Sequence, residues 1–460
     1  MRNMWRNTFL CLLIVAIFVM PIATVESKIK DSVKYNTSSV NISLNGGWLE
    51  DVDGVRILHL NGSYYDMGYQ QGYLLKDEIN QNFRAYISFL EQVGITYDDL
   101  LDLWGIMREY IPLIYTDELQ GIADGSGLSF NDVAACLMIE VINHDISACS
   151  HAAAWGSATV DGKLYHVRSN DWSLGIVDPE TGIYLQENQV LVVRQPDDGY
   201  ASAYPLIAGQ VTSHGGVNEQ GISFSHTLSW CMADISNQGI PTPLREKMVL
   251  DHAATAQEAI NIVNTNRTRG WTVIISDGKT PIAYAVELSA NYSYIGTWDN
   301  PVESTSPFWE IDHVVRRGNF YIESLLASLQ RKVYNPRSAF HWFIYARIAR
   351  VFGLYDDYKY EYYPEVMLYR VLSEAIEDQW GNLTLNTSMS IIRDVYSGKT
   401  DAVWKRWQEI FGWYQGALRQ WVICPETGDI VISFADADIS AHENPVHYFN
   451  LYELLDAEPP

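Results

Sequence analysis

Basic charge is scarce in this chain. Among 460 residues, 31 Lys and Arg stand against 56 Asp and Glu, a formal net charge of -25. So acidic a chain lacks the basic footprint of a nucleic-acid-binding protein and is repelled by anionic lipid surfaces. Cysteine is sparse too: Cys11, Cys136, Cys149, Cys231 and Cys424 are all there are. No CxxC pair occurs, which removes zinc ribbons and thioredoxin-like sites, and one disulfide at most is expected among the last four. No GxSxG elbow is present to carry an α/β-hydrolase serine, and no HExxH helix to carry zinc. Beyond the N-terminus no apolar run is long enough to cross a bilayer, which takes ~20 residues.

What remains is an enzyme-sized globular composition, 47% hydrophobic and 19% charged, well able to bury a large core. MRNMWRN, TFLCLLIVAIFVMPIA and TVES read as the basic, apolar and polar parts of an export signal over residues 1–26, with a retained anchor as the alternative. Sequons at Asn36, Asn41, Asn61, Asn266, Asn291, Asn382 and Asn386 agree with that reading. The expectation is a secreted or cell-surface protein that touches a membrane only through an uncleaved N-terminal segment.

Residues 27–148 are expected to be mainly helical after one strand, VRILHLNG. YQQGYLLKDEINQNFRAYISFLEQVG, YDDLLDLWGIMREYIP and TDELQGIADGSG each end on Gly or Pro, and SFNDVAACLMIEVINHD reads as a buried helix capped by Ser129. At Cys149 the texture changes. HAAAWGSATV, KLYHVRSN and QVLVVRQ are short apolar runs bounded by turn residues, and further hairpins follow at GGVNEQG, DGKTP and PETGD. PLREKMVLDHA and TAQEAINIVN interrupt them as helices, and residues 316 to about 412 read as mostly helical. The order helices, antiparallel strands, helices and final hairpin predicts an α+β protein layered α/β/β/α.

Cys149 lies where the helical segment meets the first strand. One hairpin later come Arg168, Asn170 and Asp171, and a hairpin folds its second strand beside its first. A thiol is a nucleophile as thiolate, which a nearby guanidinium favours; a carboxylate can hold an amine or steer a proton. Against this stands the ordinary role of a lone Cys as a small buried hydrophobe, the reading given to Cys136. Cys231 reads as core or disulfide. The tail DADISAHENPVHYF gathers Asp436, Asp438, His442, Glu443 and His447 at a spacing that reads as a loop, not a metal site. No cofactor or metal is expected.

The string CSHAAAWGSATVDGKLYHVRSNDW resembles the nucleophile hairpin of the penicillin acyltransferase-like family and, more distantly, of the choloylglycine hydrolases, both N-terminal-nucleophile enzymes. Upstream, LNGSYYDMGYQQGYLLKDEI resembles the acyltransferase signature Gly–x–x–Tyr–x–x–Gly–x–x–x–Gly; GGVNEQGISFSHT and RVLSEAIEDQWGNLTLNTSMSIIRD resemble later motifs in the same order. The resemblance implies a four-layer fold with antiparallel sheets. It also implies self-cleavage between Ala148 and Cys149 into two chains, a catalytic core over 149–460, and hydrolysis or transfer of an N-acyl group through a Cys149 thioester. By position in the motif, Arg168 polarises the thiol and Asp171 holds the new α-ammonium. The chain departs from the pattern at Ala148 and Val167, where Gly is usual, and at Ser169. Alignment puts Asp312 where an oxyanion amide is expected, with Asn218 or backbone N–H groups near His226 and Thr227 as alternative donors. It puts the late arginine at Arg370, with Arg347 second, and a helical insertion at about 314–363. A phospholipase- or ceramidase-like lipid hydrolase on the same machinery is the second reading, and a catalytically inactive surface binding protein the third. The substrate class is a small acyl amide or a lipid-like molecule.

Overall fold

Short apolar runs bounded by Gly, Asp-Gly and Pro turns become strands, and runs with helical spacing between capping residues become helices. A computed structural model describes residues 42–44, 46–142, 149–231, 233–330, 364–399 and 416–459, all within the unit Val40–Pro460. The strands are β1 (Ile42–Leu44), β2 (Gly47–Val52), β3 (Val55–Gly62), β4 (Ser150–Gly156), β5 (Gly162–Asp171), β6 (Gln189–Pro196), β7 (Ser202–Ile207), β8 (Gly215–Asn218), β9 (Ile222–Leu228), β10 (Trp271–Asp277), β11 (Ile282–Leu288), β12 (Ser293–Gly296), β13 (Val314–Gly318), β14 (Ala417–Cys424), β15 (Asp429–Phe434) and β16 (His447–Asn450). The helices are α1 (Tyr64–Leu74), α2 (Lys76–Gln92), α3 (Tyr97–Met107), α4 (Leu113–Ser126), α5 (Phe130–Ile142), α6 (Thr242–His252), α7 (Ala256–Asn264), α8 (Ser324–Ser328), α9 (Pro364–Asp378), α10 (Leu385–Tyr396) and α11 (Leu451–Leu455).

Two sheets result. One has ten strands in the order β1-β2-β3-β6-β7-β8-β9-β10-β11-β12, the other six in the order β13-β4-β5-β14-β15-β16. Helices α1, α6 and α7 pack on the larger sheet, α9 and α10 on the smaller, and the two sheets face each other through β4, β5, β9 and β10. This is the four-layer α/β/β/α order anticipated above, antiparallel except where β3 runs parallel to β6.

The segment before Cys149 is mainly helical, and its expected strand VRILHLNG is β3, which β1 and β2 extend into one edge of the ten-stranded sheet. A correction concerns the insertion. Residues 314–318 form β13, which pairs in register with β4 from Val314↔Ala154 to Gly318↔Ser150. A five-residue apolar and arginine run inside a helical stretch carries no period strong enough to reveal a strand. Residues 331–363 lie outside the described residues, as do residues 1–41. Among the described residues no helix is long and apolar enough to cross a membrane, and Cys136, Cys149, Cys231 and Cys424 are all free thiols.

The glycines of the upstream signature have a physical reason. Helix α1 lies so close to α4 that a Cβ on Gly68 would overlap the Glu118 carbonyl, and one on Gly121 would overlap the Tyr65 carbonyl; Gly72 and Gly125 extend the seam. Gly121→Val is therefore expected to cost more than about 3 kcal/mol, the upper range of overpacking, because backbone must move to admit it. Gly105, in exposed helix with nothing near its Cβ position, provides the contrast: Gly105→Ala should stabilise by about 0.5–1 kcal/mol. Urea unfolding of both variants checks the pair.

Candidate active site

Strand alternation sorts the residues of β5 onto two faces. Tyr165 and Val167 point to the core under α9 and α10. His166 and Arg168 point between the sheets, where His166 Nε2 meets Ser225 Oγ of β9 at 2.7 Å and Arg168 Nε donates to the His214 carbonyl at 3.2 Å. On β4, His151 joins the same space through Ser225 Oγ at 2.6 Å. The inner layer is thus polar at its centre, flanked by apolar clusters around Trp421 and Trp155.

Cys149 sits at the mouth of β4, only 4% exposed. The Asn170 Nδ2 group donates to its Sγ at 3.6 Å, and the thiol faces the Asp171 carbonyl oxygen at 3.9 Å. Of the expected hairpin neighbours, Asn170 and the Asp171 backbone stand at this thiol, while Arg168 reaches the His214 carbonyl. The Asp171 carboxyl turns to the other face, where Ser169 Oγ donates to Oδ1 at 2.7 Å and Tyr396 OH of α10 to Oδ2 at 2.5 Å. Tyr396 OH also lies 2.9 Å from Ser150 Oγ, which ties the carboxyl back to β4. Burial pushes the Asp171 carboxyl up to about 7, against the pull of those hydrogen bonds and of the Arg168 charge.

Arg168 is fully buried, and both its terminal nitrogens lack a hydrogen-bond partner among the described residues. A second buried arginine, Arg419 of β14, stands beside it. Its Nε donates to Asn170 Oδ1 and its Nη2 to His214 Nδ1, each at 3.2 Å. Burial and the neighbouring Arg168 charge bring Arg419 down to about 10. Burial, with Arg168 second, lowers His166 to about 3 and holds His151 well below its usual value. The neutral imidazoles add no charge to that of the guanidiniums.

The other residues singled out by alignment lie elsewhere. Asp312 precedes β13 at the Gly156 end, hydrogen-bonded by Ser157 at 3.1 Å, its side chain 46% exposed. The register puts it six residues from the Cys149 end of the strand, about 20 Å at ~3.4 Å per residue. The residue that β13 does bring to that end is Asn319, buried directly after the Gly318↔Ser150 pair, with Nδ2 donating to the Leu228 carbonyl at 2.8 Å. Asn218 is absorbed in structure: its amide holds the Leu250 and Ala253 carbonyls and accepts from the Gln220 and Ile222 N–H groups. His226 turns to the outer helices, bonding Glu246 of α6 and packing edge-on to Trp271. Thr227 does face the inner layer, donating to the Gly318 carbonyl at 2.6 Å. Arg370 belongs to α9 and pairs with Glu374 at 3.6 Å, so the arginine beside Asn170 is Arg419 instead. Ala148 lies outside the described residues. Among the described residues no group of His, Cys, Asp and Glu could hold a metal ion.

Arg419, Tyr396, Asn319 and His214 escaped the sequence because each comes to the surroundings of Cys149, Asn170 and Asp171 from a separate element. The one available signal was alternation in ALRQWVIC, which sets Arg419 and Trp421 on one face without saying which face is inner.

No protein-family model matches the chain. It is 28% identical over 281 residues to protein dcd1A of Dictyostelium discoideum, covering 54% of this chain and 60% of that protein. It is 24% identical over 288 residues to protein dcd1B of the same organism, covering 56% and 55%. The matched stretch thus spans little more than half the length of these curated relatives. Among solved structures it is similar to a Caenorhabditis elegans N-acylethanolamine-hydrolyzing acid amidase ortholog, at 12% identity and a TM-score of 0.38 over 66% of this chain and 99% of that one.

Proposed function

We propose that this chain is a self-processing cysteine hydrolase or acyltransferase acting on an acyl amide, with Cys149 as nucleophile. The observation that carries the reading is the convergence at one buried thiol of an amide donor (Asn170), itself held by the buried Arg419, and the backbone of a residue whose carboxyl is itself buried (Asp171). A structural thiol has no need of such company, since a buried free Cys packs well among apolar side chains.

In the first step the Cys149 sulfur attacks the Ala148 carbonyl carbon. The peptide nitrogen of Cys149 leaves as an amine, and water hydrolyses the resulting thioester. The freed α-amine then takes the thiol proton, and the thiolate attacks the substrate acyl carbon. As the tetrahedral intermediate collapses, the α-ammonium returns the proton to the departing amine; water or a second amine then releases the acyl group. Asp171 is the counter-charge for that ammonium. Arg168 favours the thiolate, and the Asn319 amide is the side-chain oxyanion donor at this end of β13.

The test is direct. The purified protein should separate under denaturing conditions into two chains, the larger beginning at Cys149, and an acylating β-lactone probe should label that residue. A protein that stays whole and takes no acyl label at Cys149 sinks the proposal.

A further inference from the structure

A connected set of polar side chains leads from Cys149 to a helix on the far side of the proposed cut. Asn170 Nδ2 donates to Cys149 Sγ at 3.6 Å, and Asn170 Oδ1 accepts from Arg419 Nε at 3.2 Å. Arg419 Nη2 lies 3.2 Å from His214 Nδ1. His214 Nε2 faces the Glu140 carboxylate of α5 at 3.4 Å, a charge contact that falls short of hydrogen-bond alignment. Thr212 Oγ1 donates to the same carboxylate oxygen and holds it in place. Every member is buried.

Donor chemistry gives this chain one direction. A guanidinium only donates, so His214 Nδ1 must accept, and the proton of the neutral ring sits on Nε2, toward Glu140. Likewise Asn170 can accept from Arg419 only through its oxygen, which turns its N–H toward the sulfur. Burial lowers the His214 proton affinity and so favours the neutral ring that this order needs. The Glu140 charge, 3.4 Å from Nε2, favours the same tautomer from the other side of the ring. With that tautomer lost, Arg419 meets an N–H instead of a lone pair, and among the described residues no other donor holds the Asn170 oxygen in its present sense.

We infer that Glu140 is a positioning residue for Cys149: acting through His214, Arg419 and Asn170, it aims an N–H at the nucleophile from the segment that precedes the cleavage site. The inference rests on the reading of Cys149 as nucleophile. It adds that α5, on the far side of the proposed cut, takes part in aiming the nucleophile.

The experiment measures the rate at which iodoacetamide alkylates Cys149 in the full chain, followed by peptide mass spectrometry to separate it from Cys136, Cys231 and Cys424. Glu140→Leu removes the acceptor, Glu140→Gln keeps one oxygen to accept the Nε2–H, and His214→Phe keeps the ring volume without its nitrogens. Loss of a donor to a thiolate should slow alkylation about tenfold or more in Glu140→Leu and His214→Phe. Glu140→Gln should stay within about threefold of the parent, because an amide oxygen still accepts. Equal slowing in the Leu and Gln variants would overturn the inference, as would an unchanged rate in Glu140→Leu or, if that variant does not fold, in His214→Phe. Alkylation is read whether or not the chain cleaves itself, so failure of self-processing and failure of the relay are told apart.

Discussion

Cys149→Ala should leave the bond to Ala148 intact and lower turnover of any acyl-amide substrate by on the order of 10⁴-fold or more, as loss of a nucleophile does. The fold should survive, since among the described residues the thiol's polar contacts are the long ones to Asn170 and Asp171. The cost in stability should stay below about 2 kcal/mol, the scale of a small buried group. Denaturing electrophoresis reads the first result, steady-state rates the second and urea unfolding the third. Residual turnover near the parent rate would move the chemistry to another group. A Cys149→Ala protein that still splits before residue 149 would show that cleavage is the work of a separate protease.

Asp171→Asn should have the next largest effect, in both stability and rate. In the uncleaved chain the Asp171 carboxyl is raised from 3.8 to about 7 by burial. Between those values the folded state keeps a proton that the unfolded state releases, so stability falls as pH rises from about 4 and the loss is complete above about 7. A rise of that size is worth about 4 kcal/mol. A Cys149→Ala precursor should therefore melt lower at pH 8 than at pH 5, and much of that difference should vanish in Cys149→Ala/Asp171→Asn. If cleavage places an ammonium beside this carboxyl, the processed enzyme should lack the slope as well, because the new charge offsets the burial penalty. Asp171→Asn alone should lower the rate by about 10²-fold or more, on the scale of losing an orienting charge from a nucleophile–base pair. Identical pH slopes in the precursor, its double variant and the processed protein would remove Asp171 from the role given to it.

Much of the layered architecture was readable because its signals are local. The hairpin turns at DGK, NEQG, DGKTP and PETGD lie where strands β4–β5, β8–β9, β10–β11 and β14–β15 reverse. The helices PLREKMVLDH and AQEAINIVN likewise fall on α6 and α7. The meeting of Cys149 with Asn170 and Asp171 was readable for the same reason, since one short hairpin joins them. What local signals could not supply was any partner brought from a distance. Asp312 and Asn319 lie seven positions apart on either side of β13, and only the pairing of β13 with β4 decides which of them stands at Cys149.

By itself, then, the sequence determined the order of layers and the placement of Cys149 one hairpin from Asn170 and Asp171, because periodicity, turn chemistry and a single hairpin are properties of neighbouring residues. The alternation in YHVRSND equally reads as a strand with one wet face. Only the tertiary structure decided that this face, with His166, Arg168 and Asn170, is buried against a second sheet. The same packing decided that Arg419, Tyr396, Asn319, His214 and Glu140, from five separate stretches of chain, supply the charges and hydrogen bonds around Cys149. Burial raises the cost of each unpaired polar group there, and that cost, set by the packing of whole layers, is what a local pattern does not contain.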